Sequence, residues 1–358
     1  MKGKYMLPTL LIACSLLCGS CSHDSDFEKE NEPMLPNNNY PVKGDNEMNS
    51  TDGYFNANTT VAEVIADPAF GNFGHLLFPV DRNVPTSMTL AQVSSSSVYV
   101  WYSYISVSNT VEILNYLRNE ALSGKQIFYP IYSESEIAAD RSKADTGLFL
   151  FRGTEGNPFA ITNAGGGFMY VGAMHDSFPH SLEISKAGYS AFALIYRPDD
   201  PYNDLARAIT FIHDNAAELG VKADDYSLWG GSAGARMAAT LGNSSYLYQL
   251  TGRRDMPQAA SVIMQYTGYS TASQYDAPTY VCVGANDGIA SWRTMQNRLQ
   301  RLSEMGIPTE FHVYDGLGHG FGLGHGTVAD GWINDALKFW QKNMKTDESA
   351  GIPPVYAD

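Results

Sequence analysis

The 358-residue chain is 44% hydrophobic, enough for one large domain with a small appendage. Its 38 acidic and 23 basic side chains leave a net charge of −15, which argues against nucleic acid or another polyanion as partner and favours a neutral one. Three of the four cysteines fall within the first 21 residues, so Cys282 stands alone in the body and no internal disulfide can form there.

In chain order, Met1 to Tyr5 is basic and residues 6–18 are apolar, a run too short to span a bilayer. This predicts a signal peptide over 1–21. Leu16-Leu17-Cys18-Gly19-Ser20-Cys21 resembles a lipobox, with Leu11-Ile12-Ala13-Cys14 as a competing match, so the expectation is a membrane anchor through lipid on Cys21. It places the chain in the envelope of a Gram-negative bacterium, on the outer membrane, and the acidic run after Cys21 resembles the tethers of surface-displayed lipoproteins. Residues 22–58 are rich in Asn, Pro, Asp and Glu and read as a flexible tether. Residues 59–96, with a short helix at 61–65 and the aromatic stretch 70–78, read as an extension that packs on the main domain or walls its cleft. Residues 97–345 form the main domain and 346–358 a tail.

Within the main domain, 97–105 reads as a strand by β-propensity and 111–122 as a helix by apolar spacing. Strands are expected at 126–132, 148–151, 159–162, 191–196, 226–229, 261–266, 279–284 and 310–314. Helices are expected at 178–186, 205–219, 233–241, 291–305 and 330–343. Alternation of this kind implies a mostly parallel sheet covered by helices on both faces, an α/β fold. Cys282 lies in an apolar run and reads as a small buried hydrophobe.

Gly230-Gly231-Ser232-Ala233-Gly234 ends one strand and opens an Ala-rich helix. Strand, sharp turn and helix expose a serine hydroxyl at the apex, where small neighbours let the two backbones approach. A serine needs a base, a carboxylate to orient that base, and donors for an oxyanion. Ala164-Gly165-Gly166-Gly167 follows a strand and offers backbone N–H groups; Ala233 N–H, at a helix start, is the second donor. Asp287 follows the strand at 279–284, with Asp315 a weaker rival for the acid. His319 follows the strand at 310–314 in Gly-Leu-Gly-His-Gly. That unit repeats with His325, which either lines the cleft or is idle. His175 and Phe168 are further cleft candidates. Neither a metal-ligating pattern nor a cofactor motif is present in the sequence.

With these parts the chain resembles the α/β-hydrolase superfamily, and within it the hormone-sensitive-lipase, acetyl-esterase and acetyl xylan esterase group. The resemblance covers residues 127–343. It rests on Ala164-Gly165-Gly166-Gly167-Phe168, Gly188-Tyr189, Tyr196-Arg197, Asp204-Leu205, Arg207-Ala208, the Ser232 turn, Asp287 and His319-Gly320-Phe321. One departure stands out: the family often carries His-Gly-Gly-Gly, and here Asn163-Ala164 precede the glycines. The resemblance implies a serine ester hydrolase acting through Ser232, Asp287 and His319. Only residues 267–278 separate two late strands, so no large cap insertion is expected. An open cleft in an acidic body suits a neutral acetylated polysaccharide or a small ester. A general carboxylesterase, a peptidase of the same fold and a non-catalytic glycan-binding lipoprotein are the alternatives.

Overall fold

A computed structural model describes residues 54–345. The signal peptide, Cys14, Cys21, residues 22–53 of the tether and the tail lie outside the described residues. Eight strands form one sheet among the described residues: β1 (Phe128–Pro130), β2 (Gly147–Phe151), β3 (Pro158–Asn163), β4 (Ser190–Ile195), β5 (Lys222–Gly231), β6 (Ser261–Gln265), β7 (Thr279–Gly284) and β8 (Thr309–Tyr314). Their spatial order is β1-β2-β4-β3-β5-β6-β7-β8. β1 and β2 are antiparallel to their neighbours; from β4 to β8 every pairing is parallel.

The central strands are continuous apolar runs because both faces are covered. Every residue of β2, β4, β6 and β7 is buried, including Cys282, whereas the edge strand β8 is half-exposed. On one face the Phe178–Lys186 helix packs against the Val107–Leu122 and Trp332–Asn343 helices. The Pro201–Asp214 and Ala233–Leu241 helices pack together on the opposite face.

Residues before the sheet are tied to its antiparallel end by aromatic rings. Phe73 stacks on Phe128 with centroids 5.5 Å apart, and Phe70 stacks on Phe55 at 6.0 Å. Asn115 takes the backbone N–H of Phe55 and donates to its carbonyl, and Arg118 pairs with Asp67 at 2.8 Å. The short helices Val61–Ile65 and Leu90–Ser94 each begin with a reciprocal capping box, Thr60 with Glu63 and Thr89 with Gln92.

The strand expected at 97–105 does not form. Trp101 and Tyr104 take positive φ values of 73° and 58°, which break an extended chain. The stretch instead runs as a loop beside the glycines after β3 and the loop after β8. Ser103 N–H donates to Gly320 carbonyl at 2.9 Å, and Tyr170 hydroxyl donates to Val100 carbonyl at 2.6 Å. Its β-branched and aromatic residues are explained by packing, since β-propensity reports fit to a half-buried surface rather than to a ladder.

No helix or strand lies in residues 266–278, between β6 and β7. The carboxyl end of the parallel sheet therefore carries no inserted cap there.

Candidate active site

The Ser232 turn is built from close approaches that only glycine permits. A Cβ on Gly234 would sit 2.0 Å from Asn163 carbonyl oxygen, and one on Gly230 would meet the Gly234 backbone at 2.2 Å. The helix start is thus pressed against the end of β3. Ser232 takes φ 50°, ψ −116°, a strained conformation for a residue with a side chain, and its N–H is held by Gln265 carbonyl at 2.9 Å.

Three side chains from distant parts of the chain meet here. His319 Nε2 lies 3.0 Å from Ser232 Oγ, and His319 Nδ1 lies 2.8 Å from Asp287 Oδ2. Asp287 is fixed in turn: its Oδ1 accepts the N–H groups of Ile289 and Ala290 at 2.8 and 2.7 Å. The loop bearing His319 is anchored on every side. Ser103 Oγ donates to His319 carbonyl at 2.8 Å, and Gln265 Nε2 and Trp332 Nε1 donate to Gly322 carbonyl at 2.9 and 3.1 Å. Tyr266 lays its ring 4.9 Å from the imidazole.

The glycine loop after β3 lies against the serine. The four expected oxyanion donors, three from this loop and Ala233, divide. Gly166 and Gly167, at φ 128° and 63°, donate their N–H groups to no acceptor among the described residues. Ala233, as the first residue of its helix, likewise has an unspent N–H. Gly165 does not belong with them: its N–H is turned inward to Asp176 Oδ2 at 2.6 Å. Where the related pattern carries histidine, directly before the glycines, this chain has buried Ala164; the residue before it, Asn163, is also buried and donates from Nδ2 to Trp229 carbonyl at 2.9 Å, pinning β3 to β5. Tyr196 hydroxyl supports the loop from below through Ala164 carbonyl at 2.7 Å.

The other candidates fall differently. Phe168 is half-buried at φ 56° and packs on Tyr202, with centroids 6.0 Å apart. His175 is 8% exposed, its ring set edge-on to Tyr99 at 4.0 Å, and its Nε2 has no partner among the described residues. Burial pulls its pKa down to about 3, so it is a neutral, packed side chain. It borders a small recess with Ser103, Asn109 and Gly322. His325 is exposed and Asp315 is exposed; neither bonds to Ser232 or His319. Arg197 pairs with the buried Asp204 at 2.6 Å, joined by Tyr132 hydroxyl, which pins the turn after β4.

Sequence reasoning missed Asp176, Tyr102 and Tyr266, which meet behind the glycine loop. The one available signal was a single carboxylate within the mainly apolar stretch 168–182.

Known proteins share parts of this fold. The BD-FAE family model matches residues 150–277, which span the glycine loop and the Ser232 turn and stop before Asp287 and His319. Among curated proteins none matches. A solved structure of an acetyl ester-xyloside bifunctional hydrolase from Caldicellulosiruptor lactoaceticus is similar, with a TM-score of 0.52 and 19% identity over 60% of this chain and 95% of the other. The carboxylesterase Cest-2923 from Lactobacillus plantarum WCFS1 follows at 0.49 and 18%, covering 56% of this chain and 94% of its own. An esterase from Thermogutta terrifontis stands at 0.49 and 17%, with 60% and 93% covered. Strand order, serine turn and the first of these likenesses together show that the chain has the α/β-hydrolase fold.

Proposed function

We propose that the chain is a serine hydrolase of carboxylic esters and that it removes short acyl groups, acetyl above all, from a neutral plant polysaccharide such as acetylated xylan. The observation that carries the hydrolase reading is the continuous relay from Ser232 Oγ through His319 to Asp287, at 3.0 and 2.8 Å. In the reaction Ser232 Oγ attacks the ester carbonyl while its proton passes to His319 Nε2. The carbonyl electron pair moves onto oxygen, where the N–H groups of Gly166, Gly167 and Ala233 receive it. Asp287 holds the imidazole in the tautomer with hydrogen on Nδ1 and stabilises the imidazolium. The tetrahedral intermediate collapses, the C–O bond to the sugar breaks, and the departing alkoxide takes the proton from His319. Water, deprotonated by His319, then attacks the acyl carbon, the bond to Ser232 Oγ breaks, Oγ takes the proton back from His319, and the acid leaves.

Three features support a short acyl group on a bulky alcohol. No cap stands between β6 and β7. The surface around the glycine loop carries exposed Met169 and half-buried Phe168, Trp101 and Tyr202, faces on which a sugar ring can rest. The net charge of −15 disfavours polyanionic substrates. The similar structure from Caldicellulosiruptor lactoaceticus is named as an acetyl ester-xyloside bifunctional hydrolase. Acetate release from acetylated xylan, and a fall of about tenfold or more in kcat/KM from acetyl to octanoyl esters of one alcohol, are expected (a few kcal/mol of differential binding being the usual scale for such a difference). A preference for the octanoyl ester would refute the substrate.

A further inference from the structure

Behind the glycine loop lies a carboxylate that the reaction above does not touch. Asp176 is fully buried, and no ion pair among the described residues balances it. Its Oδ2 accepts the Gly165 N–H at 2.6 Å and the Tyr102 hydroxyl at 3.1 Å; its Oδ1 accepts the Tyr266 hydroxyl at 2.5 Å. These donors come from three separate parts of the chain: the loop after β3, the 97–105 stretch, and the residue that follows β6. The carboxylate also touches the serine turn. A Cβ on Gly231 would sit 2.2 Å from Asp176 Oδ1, and one on Gly165 would lie 2.9 Å from Ser232 Cβ and 3.0 Å from Asp176 Oδ2.

Burying a carboxylate without a cation is costly, and a neutral amide would bridge the same elements at less desolvation cost. What a carboxylate adds is acceptor strength on both oxygens. Burial first, with the Asp176 charge second, holds the Tyr102 and Tyr266 hydroxyls well above the ordinary phenol range, so both remain donors. The Ala164–Gly165 peptide is thus clamped, Ala164 carbonyl by Tyr196 and Gly165 N–H by Asp176, and the next peptide is held through Gly165 carbonyl by the Gly172 N–H at 3.0 Å. With that peptide fixed, the next two N–H groups, on Gly166 and Gly167, are the ones left to meet a ligand. Tyr266 extends the clamp, since the ring whose hydroxyl reaches Asp176 packs against His319.

We propose that Asp176 is a positioning residue for oxyanion stabilisation: by capturing the Gly165 N–H and the Tyr266 hydroxyl it aims the Gly166 and Gly167 N–H groups at the carbonyl oxygen beside Ser232. The inference rests on the ester-hydrolase reading. Its effect is on the transition state, because the donors matter most once charge develops on oxygen.

Steady-state turnover of an acetyl ester and of its thionoester analogue tests it, in wild type, Asp176→Asn and Tyr266→Phe, with rates counted per folded molecule. Sulfur accepts N–H hydrogen bonds poorly, so the ester-to-thionoester ratio reports the oxyanion contact itself. Asp176→Asn is expected to lower kcat about tenfold to a hundredfold, with KM changed less than about threefold, and to narrow that ratio by a similar factor (one donor being worth about 10²–10³ in rate). Tyr266→Phe, which keeps the ring against His319, moves both quantities the same way by less. If Asp176→Asn does not fold, the Tyr266→Phe ratio decides. Variants that lose thermal stability yet keep wild-type kcat and the wild-type ratio would overturn the inference. A wild type that turns over no ester would instead overturn the hydrolase reading, and this inference with it.

Discussion

Ser232 can reach both His319 and the glycine loop only because its own backbone is strained and Gly230, Gly231 and Gly234 around it have no side chains. That makes the glycines as demanding as the triad. In Gly234→Ala the new methyl would meet Asn163 carbonyl oxygen at 2.0 Å, and that oxygen belongs to a buried strand which cannot give way. The helix start must shift and carry Ser232 with it. A loss of about 1–3 kcal/mol in stability is expected from such overpacking, together with a fall in kcat of about tenfold or more from misplacing the nucleophile. Denaturant titration and ester turnover check both; a variant with wild-type values of each would contradict the account. At this scale the sequence was legible where a residue follows an apolar strand. Ser232 and Asp287 do, His319 follows the half-exposed edge strand β8, and the structure places His319 within hydrogen-bond distance of both the others. It was illegible where orientation decides. Nothing in three consecutive glycines says that the first turns its N–H inward, and nothing local marks Asp176 as its acceptor.

Among elements, length and covering decided what could be read. The strands from β2 to β7 are apolar runs bounded by turns, and their expected positions match to within a few residues, apart from β5, which begins earlier, at Lys222. The helix expected at 205–219 begins earlier, at Pro201, whose fixed φ suits a first helical turn, and ends at Asp214. The short helices Leu90–Ser94, Ala173–Asp176 and Ser244–Thr251 were not anticipated, being too short to establish an apolar period. The stretch 97–105 is the instructive failure. Valine, tyrosine and tryptophan there satisfy every compositional rule for a strand, yet they are spent on the back of the site. Trp101 lies 3.1 Å from where a Gly167 Cβ would be, Tyr102 reaches Asp176, and Ser103 holds the His319 loop. Composition reports that such residues will be buried; it does not report against what.

For the whole molecule, the core carries buried imidazoles as well as apolar side chains, and these set an acid limit. Burial pulls His175 from its ordinary 6.5 down to about 3 and lowers His180 too, in the latter case against the opposing pull of Asp176. Between about pH 6.5 and 3 the unfolded chain binds a proton at His175 that the folded chain refuses. Stability is therefore full above the unfolded value and falls as pH drops through this window, by about 1.4 kcal/mol per pH unit for each such group. Urea unfolding at pH 7.0 and 5.5 should show this loss, and His175→Phe should show a shallower one; an unchanged pH dependence in the variant would contradict it. The most direct measurement concerns the relay at the sheet's carboxyl end. A serine-directed fluorophosphonate should label the protein at one residue, identified by peptide mass as Ser232, with labelling abolished in Ser232→Ala and slowed by orders of magnitude in His319→Ala. No adduct, or an adduct on another serine, would contradict the account.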